Sequence, residues 1–483
     1  MTNIIVIGGG PAGVTAALRA SELGANVTLV ERDRLGGICT NDGCVPTRVL
    51  AKAARLAREV HHFEDYGLVG EPPQVDFAQL IKRTQQVVYQ THQKKQLIKH
   101  LKSANVNVIT EAGEASFADP HTISLQDGRK LQADKFIVCV GGHARRINFP
   151  GAEHALTHHD VWSMKKLPKS VAIIGAAATG CQLASIFNAF GSQVYILDLS
   201  PRVLPIEDAH TSETMGKAFQ GHGIEVLTGI GGVEGIEKNE DNFVLRYKHQ
   251  DQVHSIESEA ILLAVGWVGN VESLNLAAAG VETQRSYVVV NDYLQSNVEH
   301  IFAAGDITGK MMLVQSGSHE GRVAAENAVL GLGQPQRHTI VPHGGFTDPE
   351  YASVGLTEEA ARSLEEEIAV GIVSYADLDR AVIDGHTEGF CKLIVSRDSH
   401  RLLGAHVVGE QALEVIQLVA AGMAAEIWIE QLAELELAYP TYSASVGLAA
   451  RRLVHDLGVM PLAPQWRALA KPPAAEWERS ENT

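Results

Sequence analysis

The chain has 483 residues, enough for about three domains, with 45% apolar and 20% charged residues, as in an ordinary globular protein. A formal charge of −17 argues against nucleic acid or an anionic membrane as the main partner. Five cysteines, of which only Cys39 and Cys44 are close in sequence, do not make a secreted disulfide framework. The first residues run straight into a strand without a basic region, apolar core and cleavage site, and no apolar run reaches bilayer length. The expected location is therefore the cytoplasm, and no membrane span is expected.

Residues 3–7, Asn-Ile-Ile-Val-Ile, predict a fully buried strand. Gly8-Gly9-Gly10-Pro11-Ala12-Gly13 follows, then a helix to about residue 23 and a strand over 26–30 that ends at Glu31. This is a dinucleotide fingerprint in its required strand–turn–helix context. Gly8 makes the turn, Gly10 lets backbone amides approach a pyrophosphate, and Gly13 lets helix and strand pack closely. Glu31 is placed to take ribose hydroxyls.

Gly36-Gly37-Ile38-Cys39-Thr40-Asn41-Asp42-Gly43-Cys44-Val45-Pro46 then puts two thiols five positions apart, where an amphipathic helix over 49–60 is predicted to begin. A helix N-terminus carries roughly half a positive charge, so a cysteine there titrates below its free value. In a regular helix, Cα atoms five apart lie roughly 8–9 Å from each other. A disulfide wants about 4.4–6.8 Å, so the pair can close only if the first turn is distorted, as Gly43 and Pro46 permit. Two thiols without nearby histidine or cysteine partners make a poor zinc site. Taken alone, they fit buried structural cysteines as well as a redox pair.

Residues 76–103 carry one long helical pattern with basic residues between the apolar ones, read as a solvated helix. Short strands follow over 106–139, with a hairpin signal at Asp127-Gly128, and run into Cys139-Val140-Gly141-Gly142, where Cys139 reads as core. A second unit opens near Pro168. Strand 171–174 leads into Gly175-Ala176-Ala177-Ala178-Thr179-Gly180, a helix, and a strand ending at Asp198. Here the second glycine of the fingerprint is Ala177, whose methyl sits where a pyrophosphate must approach. Asp198 favours a free ribose hydroxyl, hence NAD over NADP. Further β-structure spans 225–265. A strand ending in Gly305-Asp306 precedes a helix over 319–330, and Gly333-Gln334-Pro335 opens a third region of strands and helices. The histidine pairs His61-His62 and His158-His159 lack the spacing of a metal site and read as solvated surface, so no metal ligands are assigned.

The order of these motifs resembles the class I flavin-dependent pyridine nucleotide–disulfide oxidoreductases, which include dihydrolipoyl dehydrogenase, glutathione reductase and mercuric reductase. The resemblance runs from residue 2 to about 455. It rests on Gly8-x-Gly10-x-x-Gly13, Gly36-Gly37-x-Cys39-x4-Cys44-x-Pro46, Ala303-x-Gly305-Asp306 and Phe346-Thr347-Asp348-Pro349-Glu350. It implies an α/β fold with two Rossmann-like dinucleotide-binding domains, the NAD(P) domain inserted in the FAD domain, and a C-terminal α+β dimerisation domain. The implied boundaries are 1–150 and 270–335 for FAD, 151–269 for NAD(P), 336–460 for the interface of a homodimer, and a tail over 461–483. FAD and NAD(P)H, with NADH favoured, are the implied cofactors. Gly8, Gly10, Gly13, Glu31, Arg48, Gly141 and Asp306 are implied for the flavin side, and Gly175, Gly180 and Asp198 for the nicotinamide side. The resemblance also implies a Cys39–Cys44 redox disulfide, with Cys44 against the flavin and Cys39 exchanging with the acceptor.

The chain departs from that pattern in two places. The family's His-Pro-Thr-x-Ser-Glu, whose histidine is the acid–base for the exchanging thiol, is here Tyr439-Pro440-Thr441-Tyr442-Ser443-Ala444. Tyrosine titrates near ~10 against about 6.5 for histidine, so Tyr439 is a poor base near neutrality. The family's lysine–glutamate pair beside the flavin becomes Arg48 and Gln182, and a gating aromatic becomes Ala178. The expected function is an FAD-dependent NAD(P)H oxidoreductase that reduces a disulfide or metal ion through Cys39 and Cys44. A diaphorase or transhydrogenase-like enzyme, and a flavoprotein redox sensor with little turnover, are the alternatives.

Overall fold

The computed structural model describes residues 1–364 and 367–459, so the tail expected over 461–483 lies outside the described residues. The chain forms two compact units, Met1–Pro201 with His222–Thr339, and Arg202–Gly221 with residues from 340 onward.

The first unit holds both nucleotide-type sheets. One is all parallel, in the order Ile301–Ala303, Lys135–Val138, Asn3–Ile7, Asn26–Val30, Asn107–Ile109. A parallel sheet is covered on both faces, which is why its strands are uninterrupted apolar runs. Ile4 and Val6 point into a core with Ala16, Ala17 and Ala20 of the helix Pro11–Glu22 and Ala324, Ala325 and Ala328 of the helix Val314–Leu330. Ile5 and Ile7 point the other way, into a core with Phe117 and Ile123 of a three-stranded antiparallel sheet. The Asp127-Gly128 signal is the turn joining Thr122–Leu125 to Lys130–Gln132. The two helices on the first face approach so closely that a Cβ on Gly321 would lie 2.2 Å from the Ala12 carbonyl oxygen.

The second sheet, also parallel, runs Glu225–Thr228, Gln193–Asp198, Ser170–Ile174, Ala260–Leu263. The three-stranded antiparallel sheet of Gly232–Asn239, Asn242–His249 and Gln252–Ser258 buries Ile236, Leu245 and Ile256 against Ala172, Ile174 and Leu197. The second unit has a five-stranded antiparallel sheet, ordered His343–Gly345, Tyr351–Gly355, Leu402–Val408, Phe390–Ser396, Ile368–Ser374. Its core includes Val415, Ile416 and Val419 of the helix Ala412–Ala424 and Val446, Ala449 and Leu453 of the helix Ala444–Asp456.

Three helix boundaries differ from the sequence expectation. The helix expected over 49–60 begins at Cys44 and spans Cys44–Glu59. Pro46 fits inside its first turn because a missing N–H costs nothing there. The long helix expected over 76–103 is two, Phe77–Lys95 and Leu97–Ser103, broken where Gln96 takes a left-handed φ of 45°. The helix after the flavin motif starts at Val314 rather than 319.

Candidate active site

Around the thiols, the chain breaks a helix in two. Cys39 lies in the short helix Gly37–Asn41 and Cys44 opens the helix Cys44–Glu59, with Asp42 and Gly43 as the joint. The amides of Asp42 and Gly43 both donate to the Ile38 carbonyl, at 2.8 and 2.7 Å. That folded joint, rather than a distorted first turn of one helix, is what brings thiols five positions apart together. Both are free thiols, and they hydrogen-bond to each other. Accepting from Cys39 outweighs desolvation and lowers the Cys44 thiol to about 7, while Cys39, donating and half-buried, is pushed far above its ordinary value. The pair thus favours the thiolate on Cys44, with Cys39 as its donor.

The redox loop is joined to the first fingerprint by backbone. Gly36 N donates to the Gly9 carbonyl at 2.8 Å. Gly37, at φ 58°, has no room for a side chain, since a Cβ would fall 2.9 Å from the Gly10 Cα. Fingerprint glycines divide by role. Gly8 has φ 103°, and a Cβ on Gly13 would sit 1.8 Å from the Gly8 carbonyl oxygen. Gly10, with φ −74°, has an ordinary extended backbone, and its Cβ would meet only the Gly37 Cα at 3.7 Å. The space in front of Gly10, at the N-terminus of Pro11–Glu22, is a cradle that a side chain would fill and a pyrophosphate fits. Glu31 closes it, accepting from Gly9 N at 2.6 Å and Asp33 N at 2.9 Å.

Asp306 stands on the same site. Gly305, at φ 83°, brings its own α-carbon so close to the Pro11–Glu22 helix that a Cβ would touch that of Ala12 at 3.1 Å. The Asp306 carboxyl is pushed up to about 6 by burial, with Glu320 adding to it. Glu320 is fully buried, accepts from Gly305 N at 2.7 Å and faces His338 Nε2 at 2.8 Å. Gly141, at φ 69°, turns the chain out of Lys135–Val138, and its carbonyl accepts from Asn270 N at 3.1 Å. Arg48 lies one helical turn beyond Cys44, on the same face of Cys44–Glu59.

The second fingerprint repeats the backbone of the first. Gly175 has φ 108°, and a Cβ on Gly180 would lie 1.8 Å from the Gly175 carbonyl oxygen. Asp198 accepts from Ala176 N at 2.6 Å and Ser200 N at 2.7 Å, as Glu31 does from Gly9 and Asp33. Ala177 precedes its helix with φ −84° and ψ −171°, close to the −74° and −175° of Gly10. The departure at this position is one methyl group and no change of backbone. Gln182, a turn into Ala178–Ala189, donates to the Ala178 carbonyl at 3.0 Å. That helix packs on Cys44–Glu59.

Tyr439 belongs to the second unit, where its phenol donates to Asp379 Oδ2 at 2.6 Å. That carboxylate pushes the hydroxyl above its ordinary value, so the phenol holds its proton more tightly than a free tyrosine. Cys139, Cys181 and Cys391 are buried core thiols. His158 is buried against Trp267 rather than solvated, while His159 faces Asp42 at 3.2 Å. Among the described residues, no group of three or more His, Cys, Asp or Glu is placed to hold a metal ion, and no helix is long and apolar enough to cross a membrane.

Two residues near the thiols were passed over in the sequence. The last turn of Phe77–Lys95 lies against the redox loop, where Lys95 Nζ donates to Thr40 Oγ1 at 2.9 Å and His92 Nε2 meets Asn41 Oδ1 at 2.7 Å. Their only sequence signal is the run of basic residues that ends this helix.

Residues 2–321 match the pyridine nucleotide-disulphide oxidoreductase family, and residues 341–450 match its dimerisation domain. A dihydrolipoyl dehydrogenase from Zymomonas mobilis is 32% identical over 451 residues, covering 92% of this chain and 96% of its own. A mercuric reductase from Lysinibacillus sphaericus is 31% identical, covering 94% of this chain and 83% of its own. Among solved structures, the HOCl-induced flavoprotein disulfide reductase RclA from Escherichia coli superposes with a TM-score of 0.83 at 26% identity, covering 93% of this chain and 99% of its own. It has also been solved as a Cu(II) complex. LpdA from Mycobacterium tuberculosis superposes with a TM-score of 0.84 at 26% identity, covering 94% of this chain and all of its own. The protein is an FAD-dependent oxidoreductase acting on sulfur groups, with NAD(P)H as its nicotinamide cofactor; the open cradle at Gly10 fits a pyrophosphate, and the second turn offers the same backbone narrowed by the Ala177 methyl. The chain belongs to the pyridine nucleotide-disulphide oxidoreductase family.

Proposed function

We propose that this enzyme passes electrons from NADH through bound FAD to the Cys39–Cys44 pair and from there to a disulfide or metal-ion acceptor. The observation that carries the reading is the hydrogen-bonded thiol pair, with Cys44 lowered to about 7, on a loop tied by backbone to the Gly8–Gly13 turn. Bound FAD supplies two-electron exchange with the nicotinamide on one side and the dithiol on the other.

For a disulfide acceptor the chain's own residues do the rest. Cys39 passes its proton across the hydrogen bond to Cys44 and attacks one acceptor sulfur, giving a mixed disulfide and releasing the first thiolate, which takes that proton from Cys44. Cys44 then attacks the Cys39 sulfur, and the second acceptor thiol leaves as the Cys39–Cys44 disulfide forms. The acceptor gains two electrons, one proton from the pair and one from solvent, and NADH restores the reduced pair. Glu31 and Asp198 are proposed to meet the ribose hydroxyls of FAD and NADH, Asp306 the flavin side chain, and Arg48 a negative charge on the flavin. Asp198 stands where the phosphate of NADPH would be repelled, which supports NADH. Residues 341–450 are proposed to form a homodimer, and five free thiols suit a reducing cytosol.

Anaerobic titration with NADH tests the reading. A long-wavelength thiolate-to-flavin absorbance after two electrons is expected, and Cys39→Ser should abolish reduction of disulfides. Bleaching of the flavin without that absorbance would leave direct transfer from flavin to a quinone, metal or second nucleotide as the better reading.

A further inference from the structure

We propose that Lys95 is a positioning residue of the redox pair, whose ammonium, anchored on Thr40 beside Cys39, is a cation that favours the thiolate form of the reduced dithiol. This rests on the reading of Cys39 and Cys44 as the redox pair. Thr40 follows Cys39 directly, is fully buried, and accepts from Lys95 Nζ at 2.9 Å.

A lysine in the last turn of a helix has a plainer explanation, since it complements the helix dipole. Lys94, one residue earlier in the same turn, satisfies that role while exposed. Lys95 instead turns inward, half-buried, and closes on the redox loop. Its neighbour His92, on Asn41, cannot share the work, because burial first, and then the charges of Arg34 and Lys95, lower its imidazole and keep it neutral.

The charges around the thiols identify what Lys95 does. Cys39 and Cys44 face each other. Asp306 acts from the loop after Ile301–Ala303, and its carboxylate opposes an anion on either sulfur. Arg48 shares the Cys44 helix, and Asp42 of the joint is engaged by His159 at 3.2 Å. Lys95, from a third element, acts on both thiols and favours the thiolate of each. With the Tyr439 phenol held by Asp379 and raised above its ordinary value, a fixed cation beside the pair is a source of stabilisation that needs no base. It stabilises the anion without moving a proton. A nearby opposite charge lowers an acid; at Cys39 the effect of Lys95 exceeds the opposing one of Asp306, and at Cys44 the order is reversed, so Lys95 favours the anion chiefly on Cys39.

The test is the pH dependence of carbamidomethylation of the pair by iodoacetamide, on FAD-loaded enzyme reduced chemically, with the modified cysteine identified by peptide mass spectrometry. Neither acceptor nor nicotinamide enters the assay, so a failure of the proposed electron path leaves its result intact. In Lys95→Met the midpoint of the alkylation profile is expected to rise by about one pH unit. Lys95→Arg should restore it to within a few tenths, and Lys94→Met should match the wild type. Lys95→Gln keeps a donor for Thr40 without the charge, so it reads the charge alone if Lys95→Met does not fold. A wild-type midpoint in either neutral variant that folds and binds FAD overturns the proposal, as does an equal rise in Lys94→Met.

Discussion

Lys392 Nζ lies 2.7 Å from Asp208 Oδ1, and the two side chains are 3% and 1% exposed. Lys392 also meets Glu358 Oε2 at 2.8 Å, and the Glu358 amide donates to the second Asp208 oxygen at 3.0 Å. Asp208 comes from the segment Arg202–Gly221, whose two ends continue into strands of the second nucleotide sheet, while Lys392 is on a central strand of the C-terminal unit. Removing one partner of a buried ion pair leaves an unpaired charge and costs about 3–5 kcal/mol. Lys392→Met is therefore expected to lower the urea midpoint of the C-terminal unit and to raise hydrogen–deuterium exchange across residues 209–221. Adding Asp208→Asn should recover part of the loss.

The adjoining pair gives a pH signature. His343 Nε2 faces Glu207 Oε1 at 3.2 Å, and Ser353 donates to the other Glu207 oxygen at 2.6 Å. Burial is the largest single effect and opposes both charges, yet the hydrogen bonds and charges of their partners together outweigh it, so His343 is raised and Glu207 lowered. The histidine's contribution is complete below its unfolded value of about 6.5 and is lost as pH rises through its folded value. The glutamate's is complete above its unfolded value of about 4.3 and is lost as pH falls through its folded value. Stability from this pair should peak between those limits. In His343→Gln, thermal unfolding followed by circular dichroism should lose the decline on the alkaline side.

Glycine substitutions separate packing from cofactor approach. Gly13→Ala and Gly180→Ala push a methyl to 1.8 Å from a backbone carbonyl, and overpacking of that kind costs about 1–3 kcal/mol or more. Both should reduce folded yield. Gly10→Ala meets no protein atom closer than 3.7 Å, so it should fold normally and lose FAD, read as flavin absorbance per chain. At Ala177 the reverse change, Ala177→Gly, should lower KM for NADH about three- to tenfold, if the methyl costs on the order of 1 kcal/mol of binding.

Tyr439 offers a sharp negative. Its hydroxyl is held by Asp379 and its ordinary value is raised, so near neutrality it neither takes nor gives a proton. Losing a true general base costs about 10²–10⁴-fold. Tyr439→Phe should instead keep kcat for disulfide reduction within about threefold, far short of that loss, with the same pH profile. A hundredfold loss would make the phenol a proton donor in the reaction.

The two fingerprints, the thiol spacing and the flavin motif were legible in the sequence because each depends on a few residues in local order. Gly8 and Gly175 announce left-handed turns, and strands such as Ala260–Leu263 announce a parallel sheet by unbroken apolarity. What stayed hidden depends on partners distant in sequence. Lys95 reads as one of several lysines until the Phe77–Lys95 helix is laid against Thr40, and Lys392 reads as a surface charge inside a strand. The start of the redox helix at Cys44 was missed because Pro46 looks like a breaker, although in a first turn it is harmless. Tyr439 could be identified as a departure from sequence, but its anchor, Asp379, lies 60 residues away.

The carboxylates of Glu31 and Asp198 each hold two backbone amides, one from the glycine turn and one two residues downstream. Nucleotide preference is thus welded to loop architecture. Exchanging Asp198 for a cation to welcome NADPH would also strip Ala176 and Ser200 of their acceptor, and the turn would loosen just as the new charge arrived. A designer altering coenzyme choice in this enzyme must first supply a substitute acceptor for those amides. Natural variation faces the same ordering, so a switch of coenzyme at this strand end is a two-step route in which the scaffold has to change before the chemistry does.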